Sequence, residues 1–421
     1  MKLYTADRVL TEDSGACHEP GGVLVDETTV AWVGPAAEFP TAAYPPDLPV
    51  QDLPGTTLMP GLIDAHVHLG FDGGPDPVAR MTSESDALQM ALMLRSAREL
   101  LSVGVTTARD LGARGYLDLA VRQAVRDGTA RGPRLLTAGS PVTVTGGHCW
   151  FMGGEADSAD DIRRLVRNHH KAGVDLIKVM ATGGFMTEGS APWHAQYEPD
   201  HLQLVVAEAH RLGKRVAAHA HGVEGIERAL TAGVDTLEHL SFVHADGRHE
   251  VVPELVDRIA ASDSYVSPTV SFQVPRLAEL TDGRLMPSLV ELYRGGCRII
   301  ASTDAGIDRT PHYGFPGALA AMEYFGVPAD EVITAATSRA AEALGVADRT
   351  GRLRVGLDAD LIAVGGDPRR GTEAFGDLRL VVARGEEFAP DPLPELELLE
   401  LDTLPPFIRE MIDDLARGAA D

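Results

Sequence analysis

Two histidines separated by one residue, His66 and His68, follow an apolar run of the chain. Side chains alternate between the two faces of a strand, so both imidazoles would point the same way and could hold one metal ion together. The pair carries little information by itself, because 15 histidines in 421 residues give about half such a pair by chance. In isolation, ordinary packing explains it as well as a metal site does.

Single polar residues also stand at the ends of other short apolar runs: Lys178, His219, His239 and Asp304. In a (β/α)8 barrel the carboxyl ends of the strands meet on one face, where active sites are built. If these runs are barrel strands, all six groups meet in one pocket. Their joint placement favours metal binding over a hydrogen-bonded core histidine at position 219 or a capping or salt-bridging aspartate at position 304.

Lys178 lies inside the run LIKVM at residues 176–180. A buried, unpaired ammonium at such a position is costly, so the amine must be neutralised or used. Desolvation lowers the pKa of a lysine, and a neutral amine can add CO2 to form a carbamate whose two oxygens can bridge two cations. The alternative is a lysine whose stem packs while its tip reaches solvent or a carboxylate.

The elements that must position these residues are predicted from the pattern of the chain. From Thr57 onward, short apolar runs alternate with amphipathic helical segments, such as residues 200–213 and 223–233, which end in Gly. This alternation predicts an α/β fold, a (β/α)8 TIM barrel. Its eight predicted strands are residues 64–68, 105–110, 135–138, 176–180, 216–219, 235–239, 265–269 and 299–304.

Strand-like sequence with turn residues precedes the barrel and returns after it, at residues 351–364 and 378–383. The two ends of the chain are therefore expected to form one small discontinuous β-sandwich domain. The predicted division is 1–56 and 346–395 for the sandwich, 57–345 for the hydrolase barrel and 396–421 for an acidic C-terminal helix.

Composition narrows the possible partners and location. The formal net charge of −25 argues against nucleic acid or an anionic membrane surface as a partner, since both would repel the chain. Three widely spaced cysteines give no disulfide framework. The N-terminus lacks a signal-peptide pattern, and no apolar stretch is long enough to span a membrane, so we expect a cytoplasmic protein.

Taken together, these residues resemble the amidohydrolase superfamily. The motifs that carry the resemblance are PGLIDAHVH at 60–68, AHAHG at 218–222, EH at 238–239, STDAG at 302–306 and GLDADL at 356–361. With TGGH at 145–148 and TGG at 182–184, the chain looks most like the branch that contains prolidase-like dipeptidases, ochratoxin-type amidases and, more distantly, imidazolonepropionase. Leu240 departs from this pattern, because Gly is common there in relatives, and this puts the pocket shape near the sixth strand in question.

The resemblance implies two divalent metal ions, with zinc as the first choice and manganese, iron and cobalt as alternatives. By the resemblance, His66, His68 and Asp304 hold the more buried ion. His219 and His239 hold the more exposed ion, and N6-carboxylated Lys178 bridges the two.

The remaining candidates concern proton transfer and substrate contact. We expect Asp304 to shuttle the proton and His221, two residues past His219, to hydrogen-bond the developing oxyanion, although a loop or second-layer role fits His221 nearly as well. Three further residues are candidates for substrate contact, with an ordinary loop role as the alternative: His148, His194 and Tyr197. Arg109, at the end of the second strand, is a candidate to bind a substrate carboxylate, and the alternative is that it pairs with Asp110 or another acid. Cys149 is a poor candidate nucleophile, because a metal site already supplies hydroxide.

The implied function is cleavage of a carbon–nitrogen bond by a binuclear metal-dependent hydrolase, through metal-activated hydroxide. The expected substrate is a dipeptide, Xaa-Pro or similar, or an N-acyl amino acid, and the chain is expected to be a homo-oligomer. The second hypothesis is ring opening of a cyclic amide, of imidazolonepropionase or hydantoinase type. A deaminase is disfavoured, since deaminases of the superfamily typically keep one metal and lack the bridging lysine. A non-catalytic relative is disfavoured because every ligand position is filled.

Overall fold

The computed structural model describes residues 1–12, 17–281, 283 and 286–400. Over these residues the protein has mixed α/β structure. The acidic helix expected over 396–421 lies mainly outside the described part of the chain, and residues 396–400 are neither helix nor strand. Within the described part, no helix combines the length and the apolar character needed to cross a membrane.

The two ends of the chain share one mixed sheet. Its strands are β1 (Lys2–Leu10), β2 (Cys17–His18), β3 (Gly21–Asp26), β4 (Thr29–Pro35), β5 (Val50–Pro60), β13 (Leu361–Gly365), β14 (Leu378–Ala383) and β15 (Glu386–Glu387). Strand β5 joins the two ends, because it pairs in parallel with β1 and antiparallel with β13. Buried residues from both ends, including Val23, Leu58 and Leu361, form a common apolar cluster.

Seven parallel strands lie in two further sheets. They are β6 (Leu62–Val67), β7 (Val105–Asp110), β8 (Arg134–Thr137), β9 (Leu176–Met180), β10 (Arg215–Gly222), β11 (Thr236–Val243) and β12 (Tyr265–Ser267). The first three form one sheet and the last four the other. A parallel bridge between Val142 and Val179 connects the segment after β8 to β9. Their apolar residues are buried, as expected for parallel strands with helices packed against the sheet.

The eighth predicted strand, residues 299–304, is not a continuous strand, so this prediction was wrong. The segment makes isolated parallel bridges, between Ile299 and Val266 and between Ala305 and Val67. Ala301 N donates to Ala335 O, a carbonyl at the end of a helix, instead of to a neighbouring strand. Asp304 also has a left-handed backbone, with φ of 62°, which cannot continue a strand.

Helices occupy most of the connections. They are α1 (Pro77–Ser83), α2 (Asp86–Ser102), α3 (Leu117–Arg126), α4 (Ala159–Ala172), α5 (Pro199–Arg211), α6 (Val223–Ala232), α7 (Pro253–Ala260), α8 (Val274–Leu280), α9 (Leu289–Arg294), α10 (Phe315–Tyr324), α11 (Ala329–Ala335) and α12 (Ser338–Leu344). Local sequence sets their ends. Ser158 and Asp161 form a capping box at the start of α4, and Gly233 ends α6 with a left-handed φ of 80°.

Candidate metal centre

A cavity of about 320 Å³ lies at the carboxyl ends of the parallel strands. Eight of the residues singled out from the sequence line it: His66, His68, His148, Lys178, His219, His221, His239 and Asp304. We call the other seven, without His148, the donor cluster. Each of the seven offers a nitrogen or oxygen that can bind a cation. The polar residues at the ends of separate apolar runs therefore meet in one place.

Three donors of the cluster face one another at short range. The Nε2 atoms of His66 and His68 are 3.3 Å apart, and each lies 3.2 Å from Oδ1 of Asp304. These three residues form one group able to hold a metal ion. A set of two imidazoles and one carboxylate has the donor chemistry that zinc and similar divalent ions prefer.

A second group of three possible ligands consists of His219, His221 and His239. The ring centroids of these histidines are 4.5 to 4.6 Å apart. The two groups are neighbours, since the rings of His66 and His239 lie 5.1 Å from each other. His221 belongs to this second group, whereas the resemblance implied only His219 and His239 as ligands there.

Lys178 lies in the middle of β9 and is 1% exposed. Its Nζ has no hydrogen-bond partner among the described residues. Burial lowers the pKa of Lys178 to about 8, against the opposing effect of Glu238 and Asp304. A buried amine without a partner is unfavourable by itself, so Lys178 fits a site that binds a cation or carries a modified lysine.

Protein acceptors orient most of the imidazoles. The contacts are His66 Nδ1 with Glu238 Oε2 (2.9 Å), His219 Nε2 with Gly183 O (3.0 Å), His221 Nδ1 with Ser241 Oγ (2.8 Å) and His239 Nδ1 with Thr269 Oγ1 (2.9 Å). Each contact occupies one ring nitrogen and leaves the other for a ligand. Such outer contacts fix the tautomer and the ring orientation of metal-binding histidines.

Arg109 belongs to this outer layer and does not line the cavity. Its guanidinium donates to Ala65 O, Thr236 Oγ1 and Glu238 Oε1, at 2.6, 2.9 and 2.8 Å. Arg109 and Glu238 are both buried, and Glu238 in turn contacts His66. The structure thus supports the alternative in which Arg109 pairs with an acid, and that acid is Glu238.

Asp64 ties the first strand to the end of the eighth segment. Its carboxylate accepts hydrogen bonds from the backbone of His66 and from both the backbone and the hydroxyl of Thr303, the hydroxyl at 2.5 Å. Burial raises the pKa of Asp64 to about 7. This contact places His66 and the neighbouring Asp304 in register with each other, so Asp64 is a structural member of the motif.

Burial and repulsion from neighbouring cationic groups lower the pKa values of His66, His219, His221 and His239, which favours the neutral form that binds metals. Burial lowers the pKa of His66 to about 4 and the pKa of His221 to about 3. For Asp304, burial opposes ionisation, but His66, His68 and Lys178 outweigh it and hold the pKa of this carboxyl below its usual value. Neutral imidazoles beside an ionised carboxylate form a suitable ligand set for a divalent cation.

The backbone near the sixth strand explains the departure at Leu240. His239 and Leu240 have φ values of 70° and 51°, a left-handed conformation that glycine adopts without strain. Leu240 is fully buried, and its carbonyl accepts a hydrogen bond from Ser288 Oγ at 2.6 Å. Packing and this hydrogen bond hold Leu240 in a left-handed conformation that glycine would adopt without strain.

A different set of residues lines the rest of the cavity. We call it the loop wall, and it consists of Phe185, Met186, Gln273, Val274, Leu277, Ile307, Asp308, Arg309 and Leu399. Most of its side chains are apolar, and Arg309 supplies a cation. Asp308 lies beside Arg309, and burial raises the pKa of its carboxyl to about 6. None of these residues was singled out from the sequence, because apolar and charged loop residues have no distinctive spacing.

The structure does not bring two other candidates to the cavity. His194 is exposed, and Tyr197 is buried with its hydroxyl donating to Ala156 O at 2.8 Å. Cys149 does line the cavity, but burial raises the pKa of its thiol to about 12, which keeps it protonated and unreactive. Glu238 and Thr269 contact imidazoles of the donor cluster, but the sequence analysis gave neither residue a role. For Glu238 a signal was available, because it is an acid inside the apolar strand β11.

The model of the Amidohydrolase family matches residues 57–392 of the chain. The chain belongs to the amidohydrolase family. It is a hydrolase that acts on amide bonds, and divalent metals are general in this family, which agrees with the two groups of possible ligands.

Relatives with known activities resemble this amidohydrolase over most of its length. The ochratoxinase of Aspergillus niger is 30% identical over 394 residues, which cover 85% of this chain and 80% of that protein. The imidazolonepropionase of Pseudomonas fluorescens (strain Pf0-1) is 25% identical and covers 82% of this chain and 87% of its own. The structure of a Xaa-Pro dipeptidase with methionine in its active site superposes with a TM-score of 0.79 at 26% identity, over 92% of this chain and 99% of that one.

Proposed function

We propose that this amidohydrolase is a binuclear metal-dependent enzyme that cleaves the amide bond of a dipeptide, such as Xaa-Pro, or of an N-acyl amino acid. The observation that carries the proposal is the meeting of two three-ligand groups and an unpartnered amine in one cavity. Ochratoxinase and a Xaa-Pro dipeptidase among the relatives support this class of substrate. The cavity volume suits a small molecule.

The donor cluster would hold two divalent cations. His66, His68 and Asp304 would bind one, His219 and His239 the other, and N6-carboxylated Lys178 would lie between them. Zinc suits these ligands, as do manganese, iron and cobalt. When bound, the cations would supply Lewis acidity and make hydroxide available near neutral pH. Carboxylation would also remove the cost of an unpartnered buried amine at Lys178.

Asp304 would carry the proton. Its side chain is 14% exposed, so water in the cavity can reach the carboxylate, and its lowered pKa keeps it ionised. It would take the proton of the attacking water and deliver it to the nitrogen of the leaving amine, acting first as base and then as acid.

His221 would stabilise the oxyanion. Ser241 Oγ occupies its Nδ1, which leaves Nε2 for the carbonyl oxygen on which charge develops. The competing role is a third nitrogen ligand of the second cation, because His221 is grouped with His219 and His239. A substitution of His221 that leaves the metal content of the protein unchanged but abolishes turnover would favour the oxyanion role.

Two residues would contact the rest of the substrate. Arg309 in the loop wall would bind a substrate carboxylate, a role that the sequence suggested for Arg109. His148, whose ring lies 4.5 Å from that of His219, would contact the substrate near the reacting carbonyl.

The proposed reaction site implies a specific architecture. Strands β6 to β12 would close through residues 299–304 into a (β/α)8 barrel that spans residues 57–345, with the donor cluster at its carboxyl face. Residues 1–56 and 346–395 would form the accompanying β domain. The hydrogen bonds from Ala65 to Ala301 and from Ile300 to Val266 support closure at the eighth segment.

A second candidate function is ring opening of a cyclic amide. The similarity to an imidazolonepropionase over 82% of the chain favours it. The same ligands would serve both reactions, so the donor cluster does not separate them, and the choice depends on the substrate that the loop wall accepts.

The test is an assay of the purified chain, prepared with zinc and bicarbonate, against dipeptides, N-acyl amino acids and cyclic amides. Asp304→Asn is the control variant, because asparagine also adopts the left-handed backbone at this position and keeps the side-chain shape, while it removes the carboxylate proposed to bind metal and carry the proton. Turnover of linear amides that the variant lacks supports the proposal. Ring opening without linear cleavage supports the second candidate. No turnover of any amide by protein that holds two metals contradicts both.

A further inference from the structure

The C-terminal segment after β15 reaches the cavity. Asp391 is held by Arg98 of α2, with contacts of 2.6 and 2.9 Å, and its backbone N–H donates to Ser102. Farther along, residues 394–398 and 400 are exposed, whereas Leu399 is 5% exposed and lines the cavity. One leucine of an otherwise exposed segment thus enters the cavity.

Polar contacts fix this leucine in place. Gln273 accepts a hydrogen bond from Leu399 N at 3.0 Å and donates to Glu397 O at 2.7 Å, so one amide side chain binds two backbone groups of the segment. Arg276 Nε donates to Leu399 O at 3.2 Å. Gln273 is itself buried and lines the cavity. Hydrogen bonds to its backbone therefore help to hold Leu399 in place, and a substitution of the side chain leaves their donors and acceptors intact.

The loop wall to which Leu399 belongs is mainly apolar. It includes Val274 and Leu277 from the first turn of α8, and Phe185 and Met186 from the loop after β9. Its charged members are the adjacent residues Asp308 and Arg309. An apolar surface that faces a reaction centre gains free energy by burying an apolar part of the substrate.

We propose that Leu399 is a specificity-determining residue of this amidohydrolase. It contributes an apolar side chain to the cavity wall and selects substrates that carry a bulky apolar group, aromatic or branched aliphatic, next to the scissile amide. The inference rests on the proposed function, because it names the substrate class for that same site. The C-terminal segment is thus part of the substrate pocket and not only a connection on the surface.

The kinetic test compares Leu399→Trp and Leu399→Ala with the matched variants Leu398→Trp and Leu398→Ala. Leu398 is the adjacent residue, is 58% exposed and does not line the cavity. The measurement is kcat/KM for N-acetyl amino acids with methyl, isobutyl, benzyl and naphthylmethyl side chains. Leu399→Trp should lower kcat/KM about tenfold or more for the benzyl and naphthylmethyl substrates and much less for the methyl substrate. Leu399→Ala should shift the preference towards the naphthylmethyl substrate, and both Leu398 variants should behave as wild type.

An equal loss for all side-chain sizes would overturn the proposal, because it would indicate a purely structural role. An unchanged size preference in both Leu399 variants would also overturn it.

A binding measurement separates this proposal from the reaction itself. Calorimetry with N-acetylphenylalanine and N-acetylglycine, in the Asp304→Asn background, requires no turnover. Adding Leu399→Trp should weaken binding of the phenylalanine compound about tenfold and leave the glycine compound nearly unchanged. If wild type cleaves no amide, the proposed function fails, but the ratio of the two dissociation constants, for N-acetylphenylalanine and N-acetylglycine, still decides the role of Leu399. If Leu399→Trp leaves this ratio unchanged, that role is refuted.

Discussion

The donor cluster and the loop wall line the same cavity but are built in different ways. In the donor cluster, buried strands carry most of the side chains, and outer contacts from residues such as Glu238 and Thr269 fix the rings. In the loop wall, side chains come from loops, a short helix and the C-terminal segment. The two carboxylates differ accordingly, since the pKa of Asp304 is lowered and that of Asp308 is raised. We therefore propose that reaction chemistry and substrate choice depend on separable parts of the molecule.

The largest effect is expected from Glu238→Ala, which leaves Arg109 buried without its partner and releases His66. Removing one member of a buried ion pair costs about 3–5 kcal/mol of unfolding free energy. Glu227→Ala is the control, because its pair with Arg258 is about half exposed and should cost less than about 1 kcal/mol. Urea unfolding of both variants measures the difference. Similar costs would mean that the donor cluster does not depend on this outer layer.

Thr269→Val should affect the cluster without unfolding it. Valine has the shape and branching of threonine, so the left-handed backbone at this position, φ of 50°, is equally strained in both, but the hydroxyl contact with His239 is lost. Metal affinity, measured by competition with a chelating dye, should fall about 10- to 100-fold. Thr310→Val is the control, since that hydroxyl contacts Asp308 O and no histidine. Equal affinity in the two variants would speak against an orienting role for Thr269.

In the loop wall, Arg309→Gln should change binding and leave the chemistry intact. We expect KM for a substrate with a free carboxylate to rise about tenfold, since a hydrogen bond to a charged group contributes about 1.5–3 kcal/mol. The kcat value and the metal content should stay near those of wild type. A substrate whose carboxylate is capped as an amide is the control and should show no change. A loss of kcat for both substrates would place Arg309 in the reaction machinery instead.

The smallest expected effect is a change of KM with pH. Burial raises the pKa of Asp308 from the ordinary 3.8 to about 6, so this carboxyl ionises inside the cavity as the pH rises through 6. Its charge then competes with the substrate carboxylate for Arg309, whose Nε lies 4.0 Å from Asp308 Oδ1. KM for a carboxylate substrate should rise about two- to threefold from pH 5 to 7, and Asp308→Asn should remove this rise. The raised pKa also means that the stability Asp308 contributes below pH 4 is lost as the pH rises through 6.

The sequence predicted the donor cluster far better than the loop wall. A lysine or histidine inside an apolar strand violates the pattern of its own neighbours, so Lys178 and His219 could be recognised locally. Arg109 was ambiguous, because its partner Glu238 lies 129 residues away. Leu399 gave no signal, since a leucine near the C-terminus looks the same whether it enters a cavity or lies on a surface.

The same distinction explains the error at the eighth strand. Residues 299–304 have the composition of a strand, and seven other predicted strands were found, with ends shifted by a few residues. What interrupts the eighth is tertiary: the end of α11 supplies Ala335 O to Ala301 N. The sequence pattern of residues 299–304 cannot show that a distant carbonyl will accept the hydrogen bond of Ala301 N.

The most direct test of the account is the metal content of the purified full chain after reconstitution with zinc and bicarbonate, measured by mass spectrometry of the bound metal. The account predicts two zinc ions per chain in wild type and fewer than two in Lys178→Met, which has no amine to carboxylate. Leu398→Ala should keep both ions. A wild-type chain that never binds more than one ion, or a Lys178→Met variant that keeps two, would contradict the binuclear centre.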